Sequence, residues 1–150
     1  MALYDDEMKK CEAKYAEASQ AYEKAADAYR KNSPVEAQKY YDNARKCESE
    51  AEGFYKNAKA EIQKIGDEAN VHLDKAAEAY RKGNKKLGDA EKQNGYGKMN
   101  EYEEKYKELN RRNDNANLNS RCSRGEYENQ KAGWQNRISQ DYHQNNGYSR

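Results

Sequence analysis

One proline, three cysteines, two histidines and no long apolar run are all that this chain of 150 residues offers of several kinds of structure. Leu, Ile, Val and Phe together number 11, far too few for a large enzyme core. A mean hydropathy of -1.58 leaves no span for a membrane helix and no signal-peptide core. Net charge is also small: 28 basic residues face 27 acidic ones, for a formal +1. The strongly one-signed charge of a disordered polyelectrolyte is therefore missing. Cys11, Cys47 and Cys122 are scattered, with no C-x-x-C and no histidine nearby. That excludes a zinc motif and a disulfide framework, and it suits a reducing compartment. The sequence points to no cofactor, no metal and no catalytic group. The expected location is intracellular, cytoplasmic or cytoskeletal, and not secreted.

What is present is Ala, Lys, Glu and 14 Tyr, a composition of long helices. Met1, Tyr4, Met8, Cys11, Tyr15, Ala18, Tyr22, Ala25 and Tyr29 recur at spacings of three and four, the seam of a coiled coil. The pattern stops at Asn32. Ser33-Pro34-Val35-Glu36 then reads as an N-cap, a first-turn proline and a capping glutamate. Ala37, Tyr41, Ala44, Cys47, Ala51, Phe54, Ala58, Ile62 and Ile65 continue the seam. Folded back at Asn32-Ser33, facing residue numbers should total about 66. Tyr22 then meets Ala44 and Tyr15 meets Ala51, large against small, as interdigitating layers require. Cys11 and Cys47 fall about 12 Å apart along the axis, at the helical rise.

The apolar pattern runs on through Ala69, Leu73, Ala76 and Tyr80 to Gly83-Asn84. The middle helix is therefore expected over 34–82, with Gly66 a possible break. A third helix follows, weakened by Gly88, Gly95 and Gly97. Folded about Gly83-Asn84, its Met99, Tyr102, Tyr106 and Leu109 pair with Ala69, Gly66, Ile62 and Ala58.

Residues 15–31 align with 66–82 at nine identical positions, an offset of 51. A period near 50 reads as repeated helix-turn-helix units. The expected fold is all-α: a long antiparallel helical hairpin over 1–65, a second helix-turn-helix unit over 66–112, and an extended C-terminal tail over 113–150.

Residues 75–95, KAAEAYRKGNKKLGDAEKQNG, resemble the short helical domain of unknown function that precedes Smr nuclease domains. The first unit is similar, with Ala28-Tyr29-Arg30 followed by Ala37, Ala44, Ala51 and Ala58. The nuclease domain itself and its L-D-L-H-G-type motif are absent, so no nuclease activity is implied. Ala37-x-x-x-Tyr41-x-x-Ala44 also resembles the second helix of tetratricopeptide hairpins, as in vesicle-fusion attachment proteins. Both resemblances imply helical hairpins used for contact.

Chemistry is sparse. His72 reads as a core-edge histidine beside Ala69 and Leu73, and paired carboxylates such as Glu103/Glu104 belong to a mixed-charge surface. No phosphate loop or nucleophile-base pattern occurs. Tyr15, Tyr22 and Tyr29 fill seam layers, whereas Tyr40, Tyr55, Tyr96 and Tyr148 lie off the seam or in weak segments and suit an interface.

The last 40 residues change character. They hold six Arg and one Lys against four acids, a net +3, with 12 Asn or Gln. Alternation of Asn113, Asn115, Asn117 and Asn119 argues against helix. A short helix over 127–142 would place Trp134, Ile138 and Tyr142 on one face. Such a tail cannot offset its conformational entropy alone. The expected partner-binding residues are accordingly Trp134, Ile138, Tyr142, Tyr127, Arg121, Arg124 and Arg137, with arginine giving planar, multidentate contacts. The expectation is a non-enzymatic structural or adaptor subunit of a larger protein assembly, such as a cytoskeletal or ciliary filament. Its partners would be other protein subunits, with no membrane insertion. A nucleic-acid-binding accessory is the alternative, disfavoured by the neutral body and the tail's modest charge. A stress-type hydrophilic protein is a second alternative, disfavoured by the layer matching.

Overall fold

The computed structural model describes residues 3–147, so the seam start at Met1 and the interface reading of Tyr148 lie outside the described residues. Those residues form three α-helices: α1 (Leu3–Arg30), α2 (Pro34–Arg81) and α3 (Lys85–Gly147). The fold is all-α. The middle helix runs through Gly66 without interruption.

Two short turns separate the helices, and they are built alike. After α1, the Asn32 N–H reaches the Tyr29 carbonyl at 3.0 Å and the Ser33 N–H reaches the Ala28 carbonyl at 2.8 Å. After α2, the Gly83 N–H reaches the Tyr80 carbonyl at 3.1 Å and the Asn84 N–H reaches the Ala79 carbonyl at 2.8 Å. Each is a Schellman cap, closed by a left-handed residue. Asn32 has φ 60° and Gly83 has φ 78°. Every bond in one turn has its counterpart 51 positions on, so the repeat in the sequence is also a repeat in structure. Asn84 further caps α3, its Oδ1 accepting the Leu87 N–H at 3.2 Å.

The chain divides into two compact units, each with a stretch of all three helices: Met1–Lys10 with Gly53–Asp114, and Cys11–Glu52 with Asn115–Arg150. In the second unit, Lys14 pairs with Glu50 at 2.9 Å and the Cys47 thiol donates to Glu17 at 3.6 Å. Lys24 stands over the Tyr40 ring. Each pair totals 64 in residue number, within two of the expected antiparallel register. Tyr22, Ala25, Tyr29, Ala37 and Ala44 share one buried cluster.

In the first unit, the Asn57 amide donates to Glu7 at 3.3 Å and Lys10 lies over Phe54, again totalling 64. The α2–α3 pairing follows the expected fold about Gly83-Asn84. A Cβ on Gly66 would stand 3.2 Å from the Tyr102 ring, so the glycine is the hole into which that tyrosine packs. Gly95 likewise sits under Leu73, close to the Ala69 carbonyl. Two of the glycines that weaken the helical pattern, Gly66 and Gly95, are thus packing sites.

The extended tail is a correction. Helix α3 is continuous from Lys85 to Gly147. Its seam persists through the Asn-rich stretch as Leu109, Asn113, Ala116, Ser120, Ser123, Tyr127, Gln130 and Trp134, alternating four and three. Every one of these positions is buried or half-buried. Small polar residues fill the heptad where apolar ones were sought, and tertiary packing overrides their low intrinsic propensity.

Candidate functional site

The expected anchor residues divide into two groups. Tyr127 is a core residue of the second unit, not a free anchor. Its ring stacks on Tyr29 at 5.7 Å and on Tyr22 at 6.2 Å, and it packs on Tyr41 at 4.9 Å. Trp134 turns the same way: its ring lies 5.4 Å from Tyr29 and its indole N–H donates to Asn32 Oδ1 at 2.6 Å. The helical state of α3 explains both corrections, because it puts Tyr127 and Trp134 seven residues apart on the face toward α1.

Arg124 lies 3.7 Å from the Glu48 carboxylate. Arg137 donates to the Tyr29 carbonyl at 3.5 Å, a second donor there beside the Asn32 N–H. Arg121, Ile138 and Tyr142 remain on the surface. Ile138 is 44 % and Tyr142 65 % exposed. They follow Trp134, the last half-buried seam position, and the next two places on the heptad, Arg137 and Asp141, are exposed.

Glu48 is the functional-looking residue that the sequence pattern does not expose. Although 7 % accessible, its carboxylate accepts the Tyr22 hydroxyl at 2.5 Å, the Ser120 hydroxyl at 2.8 Å and Arg45 at 3.2 Å. With Arg124 nearby, the buried charge is paired and hydrogen-bonded, as burial demands. Burial, together with the bond to Glu48, pushes the Tyr22 phenol up to about 12. Burial also raises Tyr127 and the Cys47 thiol. The signal for Glu48 is its place beside Cys47, one position off the α2 seam and four after Ala44.

Beside this network opens a cleft of about 280 Å³, lined by Tyr15, Arg45, Glu52, Asn117, Arg121 and Arg124 among others. Its charges nearly offset one another, and the guanidinium groups of Arg45 and Arg124 are engaged by Glu48.

In the first unit, His72 is half-buried with Nδ1 2.6 Å from Glu91. It sits at the edge of the α2–α3 packing, as its position beside Leu73 suggested. Tyr55 donates to Asn110, and Tyr96 is exposed. In the second unit, Tyr40 is exposed beside Lys24. Among the described residues, no group of three or more His, Cys, Asp or Glu could hold a metal ion. None of the described helices is long and apolar enough to cross a membrane.

No family model, no curated protein and no solved structure matches this chain.

Proposed function

We propose that the protein is a non-enzymatic structural or adaptor subunit that docks on a larger protein assembly through the exposed end of α3. The observation that carries this reading is the pair Ile138 and Tyr142. They sit four residues apart on one helix face, after the last buried or half-buried seam position, Trp134, and both are exposed. An aromatic ring beside an aliphatic side chain at the end of a supported helix suits a protein-contact anchor. The rest of α3 supplies the support: Tyr127, Trp134 and Arg137 fix the helix against α1 directly before that pair. The likeness of the A-Y-R-K turns to contact-making helical hairpins supports the same reading. A cytoskeletal or ciliary filament is the proposed class of host.

The test is affinity capture from cells, read by mass spectrometry, for the full chain and for Ile138→Ser/Tyr142→Ser. Both residues are exposed, so the variant should keep its helical signal. The expected result is loss of the captured assembly. An unchanged set of partners would remove α3's end from the docking role.

A further inference from the structure

The two interhelical turns share one backbone design, and the offset of 51 sets their side chains against each other. Arg30 and Lys31 follow Tyr29 as Arg81 and Lys82 follow Tyr80. The next helix then opens differently. Pro34, Val35 and Glu36 begin α2, whereas Lys85, Lys86 and Leu87 begin α3. Charge at the first turn is largely offset: Arg30 pairs with Asp27 and Glu126, and Glu36 stands at the start of α2. At the second, the opening of α3 holds no acid. Arg81 and Lys82 share one carboxylate, that of Glu78, with Lys82 at 3.5 Å. Among the described residues, Lys85 and Lys86 form no ion pair.

Residues 80–87 are exposed without a break. They carry four cations and no carboxylate, and Leu87 is 49 % and Tyr80 40 % exposed among them. Elsewhere in the first unit lysines are interleaved with acids, as where Lys98 bridges Glu68 and Glu101. Lys85 and Lys86 also stand at the positive end of the α3 dipole, where a helix disfavours cations. The turn between α2 and α3 is thus a concentrated basic patch that its own helices do not neutralise.

We infer that this turn docks an acidic segment of a partner protein. The contact lies in the first unit and does not depend on the reading of the α3 end. Its occupant follows from charge complementarity and from the size of the patch. Asp74 and Glu78 bound the cations along α2, and Asp89 and Glu91 bound them along α3. Four cations within one turn suit a segment of four to six residues rich in Asp and Glu, about 13–20 Å when extended. A nucleic-acid strand is tracked by cations along a longer groove, and here it would run onto the flanking acids. A bilayer surface is disfavoured because Leu87 is the one aliphatic side chain of size in the exposed run. Leu87 and Tyr80 instead add a small apolar contact beside the charges, so a segment that mixes acids with an apolar residue fits.

Fluorescence anisotropy of a labelled octaglutamate peptide, titrated with the full chain, tests this. The decisive variant is Lys85→Pro/Lys86→Val/Leu87→Glu, which gives the second turn the residues that open α2 after the first. The same backbone turn already folds with those residues, and a helix N-terminus gains from a proline and an acid. Circular dichroism and thermal melting of the variant should therefore match or exceed wild type. Wild type should bind the peptide at low salt and release it as ionic strength passes about 0.1 M, where charges about 10 Å apart are screened. The variant, with two cations removed and one acid added, should bind at least about tenfold more weakly. If its melting shows that it misfolds, Lys85→Gln/Lys86→Gln takes its place, with a smaller loss in the same direction. Equal binding by wild type and the folded variant overturns the inference, as does a wild type that fails to bind at about 1 mM peptide. Octathymidylate or phosphatidylserine vesicles that bind more tightly than the peptide, and lose that binding in the variant, give the turn to another polyanion and overturn it too.

Discussion

The hydroxyl of Tyr22 lies 2.5 Å from the carboxylate of Glu48, inside a bundle whose other layers are mostly Ala against Tyr. Ser120 donates to the same carboxylate from α3. One charged group therefore ties all three helices of the second unit together. Glu48→Ala would strand two hydroxyls, those of Tyr22 and Ser120, and should cost about 2–4 kcal/mol in urea unfolding. Replacing the three together, as Tyr22→Phe/Glu48→Leu/Ser120→Ala, leaves no buried hydroxyl unpaired, lets the partly exposed Arg45 and Arg124 turn to solvent, and should recover most of that loss. A triple variant no more stable than Glu48→Ala would show that the network's value is not in its hydrogen bonds.

Alkaline pH provides a second probe. The folded-state pKa of Tyr22 is raised from 10.0 to about 12, by burial first and the Glu48 bond second. The folded chain thus holds the phenolic proton more tightly than the unfolded one. The stabilisation is complete below pH 10 and is lost as pH rises toward 12. Two pH units correspond to about 2–3 kcal/mol for this buried group. Tyr127 is raised in the same direction by burial and adds to the same limb. Tyr22→Phe should be less stable at pH 8 but lose less stability between pH 10 and 12. Parallel pH profiles for the variant and wild type would contradict the assignment.

Two helical glycines of α3, two residues apart, should respond oppositely to alanine. A Cβ on Gly95 would meet Leu73 at 2.7 Å and the Ala69 carbonyl at 3.3 Å, whereas Gly97 has nothing within 4 Å. Gly97→Ala should gain about 0.5–1 kcal/mol from helix propensity alone. Gly95→Ala makes the same gain but overpacks the α2–α3 contact, at about 1–3 kcal/mol, for a net loss. The denaturation midpoints should move in opposite directions. Equal stabilisation at both positions would mean that the helices do not approach closely at Gly95.

The legibility of this chain follows how apolar its seams are. Along α1 and α2, Tyr and Ala mark most layers, so the turn at Asn32-Ser33 and a register within two residues could be read directly. Tyr102 over Gly66 could be read as well, from the second turn. In α3 beyond Leu109 the same heptad continues, but Asn113, Ser120, Ser123 and Gln130 stand where apolar residues would be sought. Ser120 and Ser123 are buried because they have partners, Glu48 and, at 2.6 Å, Ser19. A search for apolar periodicity passes over positions whose burial depends on a hydroxyl meeting another helix. The placement of Tyr127 and Trp134 failed for the same reason, and Glu48 was passed over because a lone acid beside a seam resembles any surface glutamate.

The corrected course of α3 changes what truncation should do. An extended tail could be removed at residue 110 without disturbing the helices before it. A third helix cannot. Ending the chain at Asn110 would strip Tyr127 and Trp134 from Tyr22, Tyr29 and Tyr41, leave Glu48 without Ser120 and Arg124, and open the buried cluster of the second unit. Each large side chain so exposed forfeits about 1.5–3 kcal/mol, and several together approach the 5–15 kcal/mol total of a typical domain. Residues 11–52 should then lose hydrogen-exchange protection. A chain ending at Arg137 keeps every seam layer and should retain it. Trp134→Ala, at a half-buried position, should fall between them at about 2 kcal/mol, from the lost ring contact and the Asn32 bond. Undiminished protection of residues 15–30 in the chain ending at Asn110 would mean that α1 and α2 hold together without α3, and that the Tyr127 stack contributes nothing to the fold.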